Sequence, residues 1–470
     1  MSKSINRRSF VKGAATVGAG LLVLPTDKIL GANDTVNLGV IGTGNRGGQL
    51  CGWFEKVGGV KIMATSDADK GRMRKGEVKH QDFRKMLEMK ELDAVVIATP
   101  NHWHAPAAIL ACQAGKHAYV EKPVSHSIWE GRQMVKAARK YKKIVASGTQ
   151  HRSCPAPREA GKDIRAGKYG KVLWIHSARL GTRGSIGFVK EPQPVPDGID
   201  YNLWCGPAPK TPIMRKKFHY DWHWQYNWGD GEMGNWGIHY LDDVRNIMGW
   251  KGALDSVISG GGRFAWNDNG NTPNMHFALF ESEGVKMVID IRNLPADGKR
   301  GRVTYRGTRG GNVFMCEKAV VKIDRGGGKA YELDGKKVIK QYKGNAGGGH
   351  AANFIKAVRS GKSEDLNSEI LEGHLSTNIC HLANISYRVG KKASVDEAKA
   401  AMKDHEDAAY TVKTIIEQIE ANKGKLEDLS LGSKLTFDNK TEKFTGDNCA
   451  EANKLLRYEM RKEFAVPDEV

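Results

Sequence analysis

From Thr35 onward, short apolar runs alternate with amphipathic stretches. VNLGVIG is apolar at nearly every position, as a parallel strand covered on both faces requires. A helix over 47–56 follows, and then the apolar runs VKIMATSD and DAVVIATP. The chain between those two runs is short for a full unit, which predicts a brief strand near Val78 and a short helix over 83–89. A helix over 104–114 leads to HAYVEKP, and one over 128–141 leads to IVASGTQ. This rhythm predicts a doubly wound parallel sheet.

Beyond Cys154 the pattern changes. Prolines cluster at Pro192, Pro194, Pro196, Pro207, Pro209 and Pro212. Then come VLWIHSARL, SVISGGGRFAW, NMHFALFES, GVKMVIDIRN, RVTYRGT and shorter runs to Asp324, all joined by Gly-rich turns. Such a series predicts an open, predominantly antiparallel sheet in a second, C-terminal α/β domain. Helical patterning returns from Ala351 to Arg388, and the tail from Val395 mixes helix with a loose Lys-rich finish. The expected division is a leader at 1–32, a parallel-sheet domain at 33–153, a second domain at 154–394 whose helices after 350 return to the first, and a C-terminal extension at 395–470.

The leader is a targeting segment rather than structure. Asn6-Arg7-Arg8-Ser9-Phe10-Val11-Lys12 resembles the twin-arginine signal S/T-R-R-x-F-L-K. The apolar run from Ala14 to Leu24 is shorter than the roughly 20 residues a membrane span needs. Cleavage after Ala32 suits the small-residue rule. The expectation is a periplasmic or otherwise exported protein, with the twin-arginine export machinery as one partner.

The formal net charge of the 470-residue chain is +20. It is spread along the sequence with no Arg-rich block, so a solvated basic surface is expected and nucleic acid is not a partner. The seven cysteines are odd in number and form no CxxC pair, so neither a zinc site nor a disulfide framework is expected. The alternation of His219, Asp221 and His223 does not change the expectation of no metal.

Gly42-Thr43-Gly44-Asn45-Arg46-Gly47 closes the first strand and opens a helix, the context in which G-x-G-x-x-G binds a dinucleotide. The glycines permit the tight turn, the approach of the backbone to the pyrophosphate, and close helix–strand packing. The helix N-terminus then offers free N–H groups to the phosphates. Asp67 ends the next strand, where a carboxylate meets the ribose hydroxyls and repels a 2′-phosphate. This is a Rossmann domain for NAD, with NADP disfavoured.

ATPNHWHAPAAILACQAGKHAYVEKPVSH resembles the Gfo/Idh/MocA oxidoreductases, whose hallmark is a TPN…H segment followed by EKP. VEKPVSHSIWEGR, VASGTQHRS, DYNLWCGPAP, FHYDWHW, GNWGIHYLDDVR and ISGGGRF are similar to a large exported bacterial branch of that family. The resemblance covers the chain from Asp34 to about Ser394. It implies that Thr99, Pro100, Asn101, His104, Glu121 and Lys122 join the loop residues in binding the cofactor, and that the active site lies between two domains; a homo-oligomer is also expected. It also implies catalytic roles for Lys122 and for a helical D-x-x-x-H pair. Here that pair is Asn235 and His239, and an amide cannot take a proton.

Spacing i, i+4 places Asn235 and His239 on one helical face. His239 is the expected base on a substrate hydroxyl, with Lys122 polarising the same oxygen or relaying its proton. The aromatic stretch from Tyr201 to Tyr240 suits a sugar, whose C–H faces stack while its hydroxyls seek polar groups. Trp204, His219, Trp222, His223, Trp224, Asn235 and His239 are the expected substrate contacts. Three functions remain open: a dehydrogenase of a sugar or glycoside ring hydroxyl, at C3, giving a keto-sugar with tightly held NAD; an NAD-dependent glycoside hydrolase working through a transient 3-keto group; and a non-catalytic sugar-binding protein with structural NAD.

Overall fold

The structure, a computed structural model, describes residues 35–73 and 75–470. The leader expected around Arg7–Arg8 lies outside the described residues. The first sheet has six strands: β1 (Val36–Ile41), β2 (Val60–Ser66), β3 (Val78–His80), β4 (Ala94–Ile97), β5 (His117–Val120) and β6 (Val145–Ser147). Their order is β3-β2-β1-β4-β5-β6, all parallel. The order reverses beside β1, so the crevice at the strands' C-terminal ends is where a ligand binds in such a sheet. Helix α1 (Asn45–Glu55) begins inside the glycine loop, two residues earlier than its apolar pattern suggests. Helices α2 (Phe83–Leu87), α3 (His104–Gln113) and α4 (Ile128–Lys140) complete the domain. Ser127 and Glu130 form a reciprocal capping box on α4.

The second sheet is built on β7 (Val172–Leu180), β8 (Ser256–Gly262), β9 (Met275–Ser282), β10 (Val285–Arg292), β11 (Gly310–Cys316), β12 (Val320–Asp324), β13 (Gly327–Tyr331) and β14 (Val338–Lys343). The order is β14-β13-β12-β11-β7-β10-β9-β8, and short C-terminal strands extend the β8 edge. Only β7 and β10 pair in parallel among these eight strands; the other neighbours are antiparallel. The segment RVTYRGT, expected to be a strand, carries only an isolated bridge between Tyr305 and Thr308. Its Tyr305 ring stacks on His176 instead of entering a ladder.

Helices α5 (Pro155–Arg165), α6 (Tyr201–Cys205), α7 (Ile238–Met248), α8 (His350–Ser360), α9 (Ile370–Arg388), α10 (Val395–Met402) and α11 (Glu406–Ala421) complete the main elements. Ile164, Leu241, Val244, Ile379 and Leu382 from α5, α7 and α9 share a core with Ile289 and Phe314 of the second sheet. Helix α8 packs on the first sheet, with Phe354 6.0 Å from Phe54 and 5.9 Å from Tyr119 between ring centroids. Helices α10 and α11 join a separate core with Phe277 and Val288. The tail is not loose: Phe464 packs edge-on against Trp103, and Arg461 donates to the carbonyls of Asn202 and Gly206.

Candidate functional site

The glycine loop is shaped by contacts that only glycine permits. Gly42 has φ +81°, and a Cβ there would lie 2.7 Å from the Ala98 carbonyl oxygen. At Gly47 a Cβ would lie 1.9 Å from the Gly42 oxygen, so α1 presses directly on the turn. Asp67, at the end of β2, accepts from the Thr43 amide at 2.8 Å and the Asp69 amide at 3.0 Å. Burial raises its pKa despite those bonds. A bare cradle, a helix N-terminus and a carboxylate at the ribose position together fit a dinucleotide without a 2′-phosphate.

A cleft of about 280 Å³ runs from this cradle into the space between the domains. Gly42, Gly44, Asn45, Arg46 and Asp67 line one end, joined by Thr99, Pro100, Asn101, His104, Glu121 and Lys122. The second domain supplies Trp204, His219, Tyr220, Trp222, His223 and Asn235. Thr43 contributes through its bonds to Asp67 rather than as part of the lining.

Several of the expected cofactor residues are engaged with one another. Arg46 clamps buried Glu121, with Nη2 at 2.6 Å and Nε at 2.7 Å from Oε1. Burial would raise the Glu121 pKa, but Arg46 and then Lys122 reverse this and hold it below the usual range. His104 is a strut: its nitrogens lie 2.6 Å from the Pro123 oxygen and 2.8 Å from the Thr99 oxygen, tying the TPN turn to the EKP turn. Asn101 donates to buried Asp230 at 2.7 Å, which fixes the TPN turn against the second domain.

Lys122 crosses between the domains. Its Nζ donates to the Asn235 carbonyl oxygen at 2.8 Å and lies 3.5 Å from Asn235 Oδ1. Burial lowers its pKa, opposed by Glu121 and Glu232. Asn235 Nδ2 donates to Glu232 Oε2 at 3.1 Å, and Arg183 binds the same buried carboxylate. The carboxylate that the helical motif lacks at 235 is therefore present three residues earlier.

His239 occupies a different position from the one expected. Met233–Gly237 is a turn of π-helix leading into α7. Asn235 lines the cleft and His239 does not. His239 is buried, its Nδ1 lacks a partner, and burial followed by Lys122, Arg325 and Arg46 holds its pKa well below the ordinary value. A largely buried imidazole flanked by cations holds a proton weakly. Asp242 and Asp243 are structural, binding Arg152 at 2.7 Å and His151 at 2.6 Å.

The aromatic stretch divides between structure and site. Trp204, Phe218 and Trp228 box the buried Arg215 guanidinium, each ring centroid 4.6 Å from its Cζ. Trp204 therefore serves the protein's own cation, although it also borders the cleft. Trp224 does not line the cleft; it lies under Arg183 at 5.1 Å. His219, Trp222 and His223 do line it.

Sequence reasoning missed a clasp across the adenosine end. The Asp200 amide donates to the Ala68 oxygen at 2.9 Å, and the Lys70 amide to the Gly198 oxygen at 3.2 Å. Gln81 Nε2 donates to Ala68 O and Gly198 O, and His219 Nε2 lies 2.8 Å from Asp69 Oδ2. Arg72, also missed, fills the space over Gly44. The basic run DKGR after Asp67 is the one sequence signal for it; nothing local announces the clasp.

Residues 36–149 match the family model described as the Gfo/Idh/MocA oxidoreductase family, NAD-binding Rossmann fold, and residues 184–261 match its C-terminal alpha/beta domain. A glycosyl hydrolase family 109 protein of Shewanella sp. (strain W3-18-1) is 25% identical over 338 residues, 64% of each chain. Levoglucosan dehydrogenase of Pseudarthrobacter phenanthrenivorans is 26% identical over 260 residues, 50% of this chain and 59% of that one. Against other relatives that are 31% identical, this chain spans 40–41% of their length. The WlbA dehydrogenase of Bordetella pertussis, solved with NADH and UDP-GlcNAcA, shares the fold at a TM-score of 0.54 and 18% identity, covering 74% of this chain and 96% of that one. Two domain models of the Gfo/Idh/MocA oxidoreductase family thus match this chain in order, one on each side of the cleft, and the chain is similar to that family.

Proposed function

We propose that the protein is an NAD-dependent oxidoreductase that oxidises a ring hydroxyl of a sugar or glycoside, at C3, to a ketone. The observation that carries this is Lys122, held by Asn235 where the dinucleotide cleft meets the Trp222–His223 wall. Bound NAD supplies the hydride acceptor. Lys122 Nζ is the group placed to hold the reacting oxygen and take its proton, and its depressed pKa favours the neutral amine that can do so. The levoglucosan dehydrogenase relative supports an alcohol-to-ketone reaction on a sugar.

The clasp over Ala68–Lys70 supports a cofactor that stays bound between turnovers. That agrees with loading in the cytoplasm before export as a folded protein. The test begins with the purified protein: nucleotide released by denaturation is identified, and absorbance at 340 nm is followed as methyl glycosides are added to the intact protein. NAD in the extract and a 340 nm rise with a keto-sugar product support the reading. Nucleotide-free protein that stays inactive after loading with NAD overturns it. The family 109 relative favours a second reading, hydrolysis through a transient 3-keto group; release of the aglycone without net NADH identifies that case.

A further inference from the structure

We infer that Tyr220 and His223 form a subsite that reads a neutral vicinal diol of the substrate, one hydroxyl donating to His223 Nε2 and its neighbour accepting from the Tyr220 hydroxyl. This rests on the sugar-oxidoreductase reading above and names the feature that the substrate must carry.

The two side chains come from the turn containing Asp221–Trp224, and both line the cleft. His223 Nδ1 lies 2.6 Å from the Tyr220 carbonyl oxygen. A carbonyl oxygen only accepts, so Nδ1 carries the proton and Nε2 presents a lone pair. The imidazole stacks on Trp222, with centroids 3.7 Å apart and planes 19° apart, which sets the direction of Nε2. No protein group among the described residues bonds Nε2, and it is not among the buried unpartnered atoms, so it opens to the cleft.

Tyr220 complements it. The phenol oxygen accepts from Arg183 Nη1 at 3.1 Å, which leaves the phenol proton free to donate. The Tyr220 and His223 ring centroids are 4.9 Å apart, so donor and acceptor sit side by side. Adjacent hydroxyls on a ring offer the matching acceptor and donor. The charged and titratable groups that act on the imidazole are Lys122, Arg183 and His104. Burial first, and those groups after it, lower the His223 pKa to about 3, so the ring stays neutral across the working range. A carboxylate or phosphate at this position would meet the lone pair and be rejected.

The experiment uses the full NAD-loaded chain with ¹⁵N-labelled histidine. Nitrogen shifts should show His223 as the neutral Nδ1–H tautomer from pH 5 to 9. A panel of methyl gluco-, galacto- and mannopyranosides should include one that moves the Nε2 signal. With that glycoside, His223→Phe and Tyr220→Phe should each raise KM about tenfold with a smaller change in kcat. His223→Gln, which restores an acceptor, should recover most of the loss, and its activity reports that the fold is intact. An Nε2–H tautomer, an imidazolium at pH 7, a panel that leaves the signal unmoved, or an unchanged KM in both Phe variants would overturn the subsite. A shifted Nε2 signal without any 340 nm change would leave the subsite standing and count against the oxidoreductase reading instead.

Discussion

Lys122 and Asn235 meet across the domain boundary: Lys122 Nζ of the first domain donates at 2.8 Å to a backbone oxygen of the π turn in the second. Positioning the Lys122 amine in the cleft and docking the domains are thus one event.

Lys122→Ala should leave NAD bound and reduce hydride transfer by about 10²–10⁴. Because the Lys122 pKa lies below the ordinary lysine value, the neutral amine forms at lower pH than usual, and the rate should rise with pH to a plateau reached early. Lys122→Arg, which stays charged, should not rescue. A pH–rate profile of the two variants checks this.

Asn235→Asp places a carboxylate beside Lys122 Nζ, which favours the ammonium and raises its pKa. The rising limb of the pH–rate profile should move to higher pH. Since Asn235 touches Lys122 rather than His239, the shift should persist in an Asn235→Asp, His239→Ala background. Loss of the shift there would make His239 the titrating base.

Asp67→Ala removes the carboxylate at the end of β2 that the proposed reading assigns to the ribose. A hydrogen bond to a charged group contributes about 1.5–3 kcal/mol, so NAD affinity should fall by roughly one to two decades and discrimination against NADP should relax. Titration calorimetry of nucleotide-stripped protein with NAD and NADP measures both.

His219→Ala opens the clasp at Asp69 without touching Lys122. Bound NAD should exchange roughly five- to tenfold faster on dilution, with the single-turnover hydride rate nearly unchanged. An unaltered release rate would mean that the main-chain bonds at Ala68 and Lys70 suffice.

His151, buried against Asp243, titrates at about 10: burial lowers its pKa and the carboxylate raises it by more. A raised folded-state value contributes stability below the unfolded value near 6.5 and loses it as pH rises through about 10. The melting temperature should fall across that window, and the fall should be smaller in His151→Gln. The substitution itself should cost about 3–5 kcal/mol because Asp243 is left buried and unpaired.

The Rossmann half was legible in the sequence because its signals are local. Apolar runs set the parallel strands, and the glycine loop and Asp67 sit at fixed offsets from β1 and β2, where backbone sterics leave few alternatives. The brief strand at Val78 and the EKP segment after β5 were readable for the same reason. What the sequence could not decide were the partners that side chains find across tens or hundreds of residues. Arg46 sits in the phosphate loop by spacing, yet it binds Glu121 75 residues away, because a buried carboxylate needs a cation more than an open loop does. Trp204 read as a sugar platform, yet with Trp228 it encloses Arg215. His239 had the spacing of a catalytic partner, yet burial and the cations Lys122, Arg325 and Arg46 hold its pKa low, while it is Asn235 that meets Lys122. Periodicity fixes which face of an element is apolar; tertiary packing alone decides which polar group meets which, since each buried charge takes the partner that the folded chain brings within reach.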